Sequence, residues 1–461
     1  RHWGQREALW SVTILLSSAE FFIFARVVIF DALLTLCVTL ALAMFFAAIH
    51  ATESRWRFIC CVILYAALGV GTLLKGLVGL VLPGMVFFFY LLATRRWAAL
   101  KKIHLIPGIL LYLAIVLPWY LQAETHNSGF LRYYLWDEHF GRYATAKFER
   151  GQPWYYFIFV LAVGFLPWTT VIPAIVKAAW QKSLDDKTLF LFLWTGLPLL
   201  FFSISSAKLP QYILPMFPPL AILAGVTVTR MFAEYDRRVR TLISIVWWIQ
   251  GVSIFYFFVG WLEPVVLPRA LRAGIGEIGW FLQVAAPVWL LFLTLSVTTR
   301  SANFWSAADK VFGINVGLMV LFAAFLVQAA LTATPDRSAK GVGAALQPHL
   351  RPAAQVVSYD TYIEGLPFYL RTEKPLWLVT HENKKKTFRG NFHTIGGSTA
   401  AGSKWGETVL NFDQFKQILE SSDQPLLIVV KEKNFAQLKP QLGPAAKKLG
   451  TVDEYVLIAQ P

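Results

Sequence analysis

Long apolar runs, separated by short polar connectors, occupy the first 333 residues of the chain. A helix needs roughly 17–25 apolar residues to cross the hydrocarbon core of a bilayer, and about eleven runs meet that length. They lie near residues 8–25, 29–50, 58–74, 77–94, 103–121, 154–176, 188–205, 209–229, 241–262, 279–298 and 311–333. The pattern therefore predicts an α-helical membrane protein with many spans.

The connectors between these runs alternate between two kinds. One kind is short and basic, at residues 53–57, 94–102, 177–187, 234–240 and 298–310. Lys and Arg accumulate in the cytoplasmic loops of membrane proteins, so this set is predicted to face the cytoplasm. The other set, at residues 24–31, 73–76, 122–153, 205–212 and 263–277, is then predicted to face outward.

The character of the sequence changes after about residue 334. Segments with the period-2 pattern of strands appear at 353–360, 374–381, 425–432 and 454–461, and residues 412–422 and 434–442 have the composition of short helices. We interpret 334–461 as a small α/β domain that follows a membrane domain of residues 1–333. An odd number of spans from a cytoplasmic start would place it on the outer face.

Composition narrows the class of protein further. Of 461 residues, 56% are hydrophobic and 15% charged, which a soluble domain could not accommodate. The net charge of +15 is explained by the basic connectors, so no nucleic-acid partner is expected. All three cysteines lie in apolar runs and predict neither a disulfide framework nor a metal site. The chain opens on a segment typical of an inter-helix loop, and we expect further spans and an outer loop to precede Arg1.

Ionisable residues collect at the predicted outer ends of the spans. A single such residue can extend to the headgroups without any function. The whole set lies at one face, opposite the face where positive charge is usually found: Arg26, Asp31, Lys75, His139, Arg142 and Lys208. A basic pocket at this depth suits an anionic group at the membrane surface, and a lipid phosphate is the obvious candidate.

Four segments carry a resemblance to a known family. "ARVVIFDALLTL" (25–36), "LLKGLVGLVLPG" (73–84), "YYLWDEHFGRY" (133–143) and "AKLPQYILPMFPPLAIL" (207–223) resemble, in this order, motifs of polyprenyl-phosphate-sugar-dependent membrane glycosyltransferases. This superfamily of GT-C fold includes protein mannosyltransferases and the lipid A aminoarabinose transferases. The resemblance covers residues 1 to about 230, whereas the later spans and the C-terminal domain agree in layout only.

The resemblance implies roles for particular residues. Asp31, Lys75 and Arg142 correspond to positions needed for activity, the two basic ones near the lipid phosphate. Tyr212 corresponds to a tyrosine near the donor. With it we predict Arg26, Glu138 and Lys208 as substrate-binding residues, although Glu138 could instead only orient its neighbours or be solvated. His139 corresponds to a ligand of a divalent metal, zinc or magnesium; it could instead be a loop histidine bonded to the backbone. The family's favoured catalytic carboxylate belongs to an outer loop that we do not find in this sequence, and no nucleotide cofactor is expected.

The function implied is transfer of one sugar from a polyprenyl-phosphate donor to an acceptor outside the cytoplasm, which could be lipid A, another glycan or a protein. The predicted location is the bacterial inner membrane, with the site on the periplasmic side and membrane lipids as neighbours. A multi-span lipid or solute transporter is the alternative, although we find no internal repeat of the kind transporters use. A non-catalytic membrane scaffold would leave the ordered motifs unexplained.

Overall fold

The computed structural model describes residues 4–26, 29–126, 129–132, 134, 152–166, 168–181, 185–205, 208–233, 339–363, 365–372, 374–380, 408–421 and 424–460, with isolated positions between 252 and 317. The predicted spans 241–262, 279–298 and 311–333 lie almost entirely outside these ranges. The chain divides into two compact units, one within residues 1–333 and one within 334–461, and residues 126–129 group with the second.

The first unit is helical wherever it is described. Its α-helices are α1 (Gln5–Ser17), α2 (Ala19–Phe24), α3 (Phe30–His50), α4 (Ser54–Lys75), α5 (Val78–Thr94), α6 (Leu105–His126), α7 (Phe130–Arg132), α8 (Tyr156–Gly164), α9 (Ile172–Gln181), α10 (Asp186–Ile204) and α11 (Phe217–Ala233). Turns of 3-10 helix cover Trp97–Ile103, Trp168–Val171 and Pro210–Met216.

Five helical segments in the described ranges are long and apolar enough to cross a membrane, or six if a bent pair counts as one span. The bent pair joins Tyr156–Gly164 to Trp168–Trp180 at an angle of 109°. Many apolar side chains of this unit point outward, Ile106 with 75% and Phe58 with 61% exposure among them. Outward apolar side chains suit a lipid environment, so the predicted class of helical membrane protein is confirmed.

The predicted first span, 8–25, is broken into α1 and α2 at Ser18. The backbone of Ser18 is extended, with ψ 126°. The hydroxyl of Ser18 donates to the carbonyl of Ile14 at 2.6 Å, and the hydroxyl of Ser17 donates to the carbonyl of Thr13 at 2.5 Å. Serine hydroxyls that bond back to the preceding turn compete with the helix ladder and bend it. An apolar run alone could not reveal this break.

Helices α3, α4 and α5 form successive hairpins. The turn between α4 and α5 consists of Gly76 and Leu77 only, and Gly76 has φ +73°, which glycine adopts without strain. Below the turn, Gly71 and Gly79 bring the two backbones so close that a Cβ added at Gly79 would overlap the backbone of Gly71. The end of α4 is therefore held tightly against the start of α5.

The second unit contains a six-stranded sheet with the strand order β3-β2-β1-β4-β6-β5. Its strands are β1 (Gln355–Tyr359), β2 (Trp377–Thr380), β3 (Val409–Asn411), β4 (Leu426–Lys431), β5 (Lys447–Val452) and β6 (Tyr455–Gln460). Strands β3, β2, β1 and β4 are parallel to their neighbours, whereas β6 is antiparallel to β4 and β5. The helices are α12 (Ala339–Leu346), α13 (Leu366–Leu370), α14 (Phe412–Ser421) and α15 (Glu432–Leu438).

Each face of this sheet carries its own core. Val356, Leu427 and Leu457 pack with α12 and α13, whereas Val357 and Ile428 pack on the other face with α14. The predicted α/β fold of this region is confirmed. The expectation of alternating polarity in its strands was wrong for β1 and β4, because a strand covered on both faces reads as a continuous apolar run.

Candidate functional site

An ion pair between Lys75 and Asp31 lies at one end of the helical bundle. Asp31 is in the first turn of α3 and Lys75 in the last turn of α4, and because these helices form a hairpin, the two positions meet. The Lys75 ammonium donates to Oδ1 of Asp31, whose side chain is 10% exposed against 25% for Lys75. Each charge also complements the dipole of its own helix end.

Tyr212 completes the surroundings of Lys75. The ammonium of Lys75 lies 4.4 Å from the centroid of the Tyr212 ring, a cation–π distance. Tyr212 belongs to the 3-10 turn Pro210–Met216 that precedes α11, and its ring packs on Phe202 of α10, with centroids 5.3 Å apart. Three segments far apart in sequence, all singled out by the motifs, therefore meet at one ammonium group.

The position of Lys75 is fixed by its backbone. Only Gly76 and Leu77 separate α4 from α5, so the backbone at Lys75 has little freedom to move. Its side chain pairs with Asp31, whereas a lone lysine at a span end would extend towards the headgroups. The ion pair therefore anchors a positive charge at this end of the bundle.

A group of tyrosines supports the same end of α4. The hydroxyl of Tyr112 donates to Oγ1 of Thr72 at 3.2 Å, and that of Tyr120 to the Thr72 carbonyl at 3.5 Å. Tyr134, in the polar segment 131–143, packs against Tyr120 with ring centroids 5.5 Å apart. Sequence reasoning missed Tyr112, Tyr120 and Thr72, since a hydroxyl on an apolar helix carries no signal of its partner.

Lys208 is buried close to this region but is engaged with the backbone. Its ammonium donates to the carbonyl of Ser205 at 2.5 Å and to that of Gln152 at 3.0 Å, and only 5% of the residue is exposed. Loss of water contact lowers the pKa of Lys208 from its ordinary value. These bonds join the start of the 210–216 turn to the end of the 122–153 connector, which fits a positioning role.

Arg26 is exposed, and its guanidinium lies over the ring of Phe22 at 3.9 Å from the centroid. This contact is local to α2 and its end. Among the contacts of the described residues, the structure does not bring Arg26 together with Lys75.

Three of the basic connectors lie together at the end of the bundle opposite Lys75 and Asp31. Arg96 forms an ion pair with Asp186, which joins the connector 94–102 to the connector 177–187. Lys102 donates to the carbonyl of Ile49 at 2.9 Å, beside the connector 53–57. These three connectors therefore share one end, as the alternation predicts; which side of the membrane they face stays a prediction.

Glu20 is a buried acid that sequence reasoning did not single out. It lies in α2 with 4% exposure, and neither carboxyl oxygen has a hydrogen-bond partner among the described residues. Its side chain packs on Gly164, where a Cβ would overlap it, at the end of α8. An acid inside a predicted span was the available signal, because such residues are rare there.

Three predicted site residues, Glu138, His139 and Arg142, lie outside the described residues. Metal binding by His139 therefore stays a prediction. Within the ranges that the structure describes, no group of three or more His, Cys, Asp or Glu side chains is placed to hold a metal ion.

Comparison with known proteins adds the family context. The sequence model of the family described as dolichyl-phosphate-mannose-protein mannosyltransferase matches residues 1–121, which include Asp31 and Lys75. An undecaprenyl phosphate-alpha-4-amino-4-deoxy-L-arabinose arabinosyl transferase from Edwardsiella ictaluri is 31% identical over 311 residues, 66% of this chain and 56% of that protein. A protein of the same name from Pseudomonas aeruginosa LESB58 is 36% identical over 195 residues, 42% of this chain and 35% of that protein. The matches thus span about half or less of these relatives.

Solved structures share the fold along nearly the whole chain. ArnT from Cupriavidus metallidurans bound to undecaprenyl phosphate superposes with a TM-score of 0.81 at 24% identity, over 99% of this chain and 79% of that one. The apo state gives a TM-score of 0.78 at 23% identity, over 100% of this chain and 79% of that one. The family model and the relatives agree with the resemblance that the four motifs carry, and the solved structures show that this chain shares their fold.

Proposed function

We propose that this protein is a membrane glycosyltransferase that moves one sugar from a polyprenyl-phosphate donor to an acceptor outside the cytoplasm. The observation that carries the proposal is the Lys75 ammonium, anchored by Asp31 and Tyr212 at the end of the bundle. The relatives named above bear the names of transferases, which favours this function over that of a transporter.

The chemistry explains why a fixed cation is useful. The bond between the anomeric carbon and a phosphate oxygen breaks, and a new bond forms between that carbon and the acceptor oxygen. The acceptor's proton passes to a carboxylate base, and negative charge grows on the departing lipid phosphate. A positive group already aimed at that phosphate lowers the barrier, because it need not reorganise during the reaction.

We assign Lys75 as the group that contacts the donor phosphate and Asp31 as a positioning residue. Asp31 is buried beside Lys75, so its carboxylate orients the ammonium. The ring of Tyr212 limits where the ammonium can move. Arg142 would add a second positive charge, and a divalent metal held by His139 would add Lewis acidity; both assignments rest on the motif alone.

The nature of the donor can be tested directly. Protein reconstituted in liposomes is expected to transfer sugar from a polyprenyl-phosphate-linked donor without any nucleotide sugar present. The reason is that the candidate site lies at the end of a helix long and apolar enough to cross a membrane, where a positive group suits a lipid phosphate. Transfer would be measured as radiolabelled sugar in the acceptor fraction, with lipid A, a glycan and a protein tried in parallel. Transfer supported only by a nucleotide sugar would contradict the proposal.

The sidedness of the site is a second expected result. A cysteine placed at His126, next to the outer connector, and one at Lys416, on α14, are expected to react with an impermeant thiol reagent on intact spheroplasts. A cysteine at Lys101, in a basic connector, should react only after the membrane is opened. Cys37, Cys60 and Cys61 are buried and should give little background. Labelling of Lys101→Cys on intact spheroplasts would reverse the orientation.

A further inference from the structure

The second unit carries a concentrated patch of exposed aromatic side chains. Among its described residues, the large apolar side chains that are exposed are Tyr362 at 39%, Phe368 at 78% and Tyr369 at 36%. All three lie within eight positions of the chain, in α13 and the segment before it. The described remainder of the unit has the buried apolar cores and polar surface of a soluble α/β domain.

The patch rests on two helices, α12 and α13, that pack against each other. Leu366 and Leu370 of α13 are fully buried against α12, which turns Phe368 outward. Tyr369 rests on α12, where a Cβ at Gly343 would come within 2.7 Å of the Tyr369 Cβ. The rings of Phe368 and Tyr369 meet edge to face, with centroids 5.3 Å apart. The patch is thus held by the core of the unit rather than by a loose loop.

Two exposed basic residues lie on α12 and at the end of α13. Lys340 on α12 and Arg371 at the end of α13 are both exposed, and Arg371 closes the helix in the left-handed conformation with φ +51°. Aromatic side chains next to Lys and Arg form the composition found where proteins meet the membrane interface. Anionic headgroups attract the basic residues, while the rings enter the boundary of the acyl chains.

The connection of this unit to the membrane domain also favours a lipid surface as the partner of the patch. The predicted last span ends near residue 333, and α12, on which the patch rests, begins at Ala339. A linker of residues 334–338 is short, since an extended chain covers at most about 3.5 Å per residue. The predicted span and this short linker would place the start of α12 close to a bilayer surface.

We propose that the aromatic patch of Tyr362, Phe368 and Tyr369 docks the C-terminal unit onto the surface of the bilayer, with Lys340 and Arg371 contacting anionic phospholipid headgroups. This interaction does not depend on the sugar donor or the acceptor.

The experiment places a fluorophore at the patch in the whole chain. The native cysteines are replaced by alanine, Phe368→Cys is labelled with an environment-sensitive dye, and the protein is inserted as single copies into nanodiscs containing phosphatidylglycerol. Doxyl groups on the acyl chains are expected to quench the dye at position 368. The matched control is Lys416→Cys on α14, at the other face of the sheet, which should not be quenched.

Two outcomes would overturn the proposal. Absence of quenching at position 368 would show that the patch does not reach the lipid. A blue-shifted dye without doxyl quenching, in the same single-copy discs, would show burial against protein instead. A normal elution volume and equal incorporation of both labelled variants would show that either result reports on docking rather than on misfolding.

Discussion

Replacing Lys75 by alanine is expected to lower the rate of sugar transfer by roughly 10²–10³-fold, the loss typical when one preorganised group that stabilises developing negative charge is removed. The ammonium is anchored by the carboxylate of Asp31 and the ring of Tyr212, neither of which can supply a positive charge in its place. Transfer from the polyprenyl-phosphate donor in liposomes is the measurement. Activity at the level of the unchanged protein would return Lys75 to a purely structural role.

The same substitution leaves the carboxylate of Asp31 buried without its ion pair, which can destabilise a protein by itself. A double variant, Lys75→Ala with Asp31→Asn, removes both charges and separates the two effects. If Lys75 acts on the phosphate, the double variant should regain thermal stability in detergent but remain inactive. If the double variant regains transfer, the pair serves only to hold α3 and α4 together.

Substituting alanine for Gly79 is expected to destabilise the helical bundle, by about 1–3 kcal/mol if the hairpin can adjust as overpacked cores do and by more if it cannot. The added Cβ would overlap the backbone of Gly71, and backbone cannot rotate away as a side chain can. Separation of α4 from α5 would also move Lys75 off Asp31, so transfer should fall with stability. Thermal unfolding followed by size-exclusion chromatography in detergent measures the effect.

Gly84→Ala is the matched control for Gly79→Ala. Gly84 lies on the same helix, α5, and a Cβ added there meets nothing within 4 Å. Both changes raise helix propensity equally, so a difference between them reports the contact alone. Equal melting temperatures for the two variants would show that the close approach of Gly71 and Gly79 does not matter for stability.

The strands of the C-terminal sheet show which elements a sequence pattern can reveal. Strands β1, β2, β4 and β6 were predicted, and they form the interior of the sheet in the order β2-β1-β4-β6. The strands that were missed, β3 and β5, are its two edges. Strand β5 reads "KKLGTV" and is largely exposed or half-buried, because an edge strand is defined by its pairing and needs little apolar surface.

The membrane helices, like the strands, were predicted from the sequence only in part. The long helices follow from the bilayer thickness, because a span must appear in the sequence as a run of apolar residues. Their number does not follow: eight spans were predicted between residues 8 and 229, and five helical segments of the described ranges, or six with the bent pair, are long and apolar enough to cross a membrane. The break at Ser18 and the 109° bend after Gly164 do not follow, because both depend on local hydrogen bonds and on packing between helices.

The candidate site was predicted partly from the sequence and partly established by the tertiary structure. By itself, the sequence determined that charged residues collect at one end of a membrane bundle and that four ordered motifs contain them, since charge and spacing are properties of the linear chain. Only the tertiary structure decided that Lys75 pairs with Asp31, 44 residues away, that Tyr212 covers it, and that Lys208 and Arg26 are engaged elsewhere. The reason is physical: α3 and α4 are of nearly equal length and joined by a tight turn, so folding places the first turn of one beside the last turn of the other.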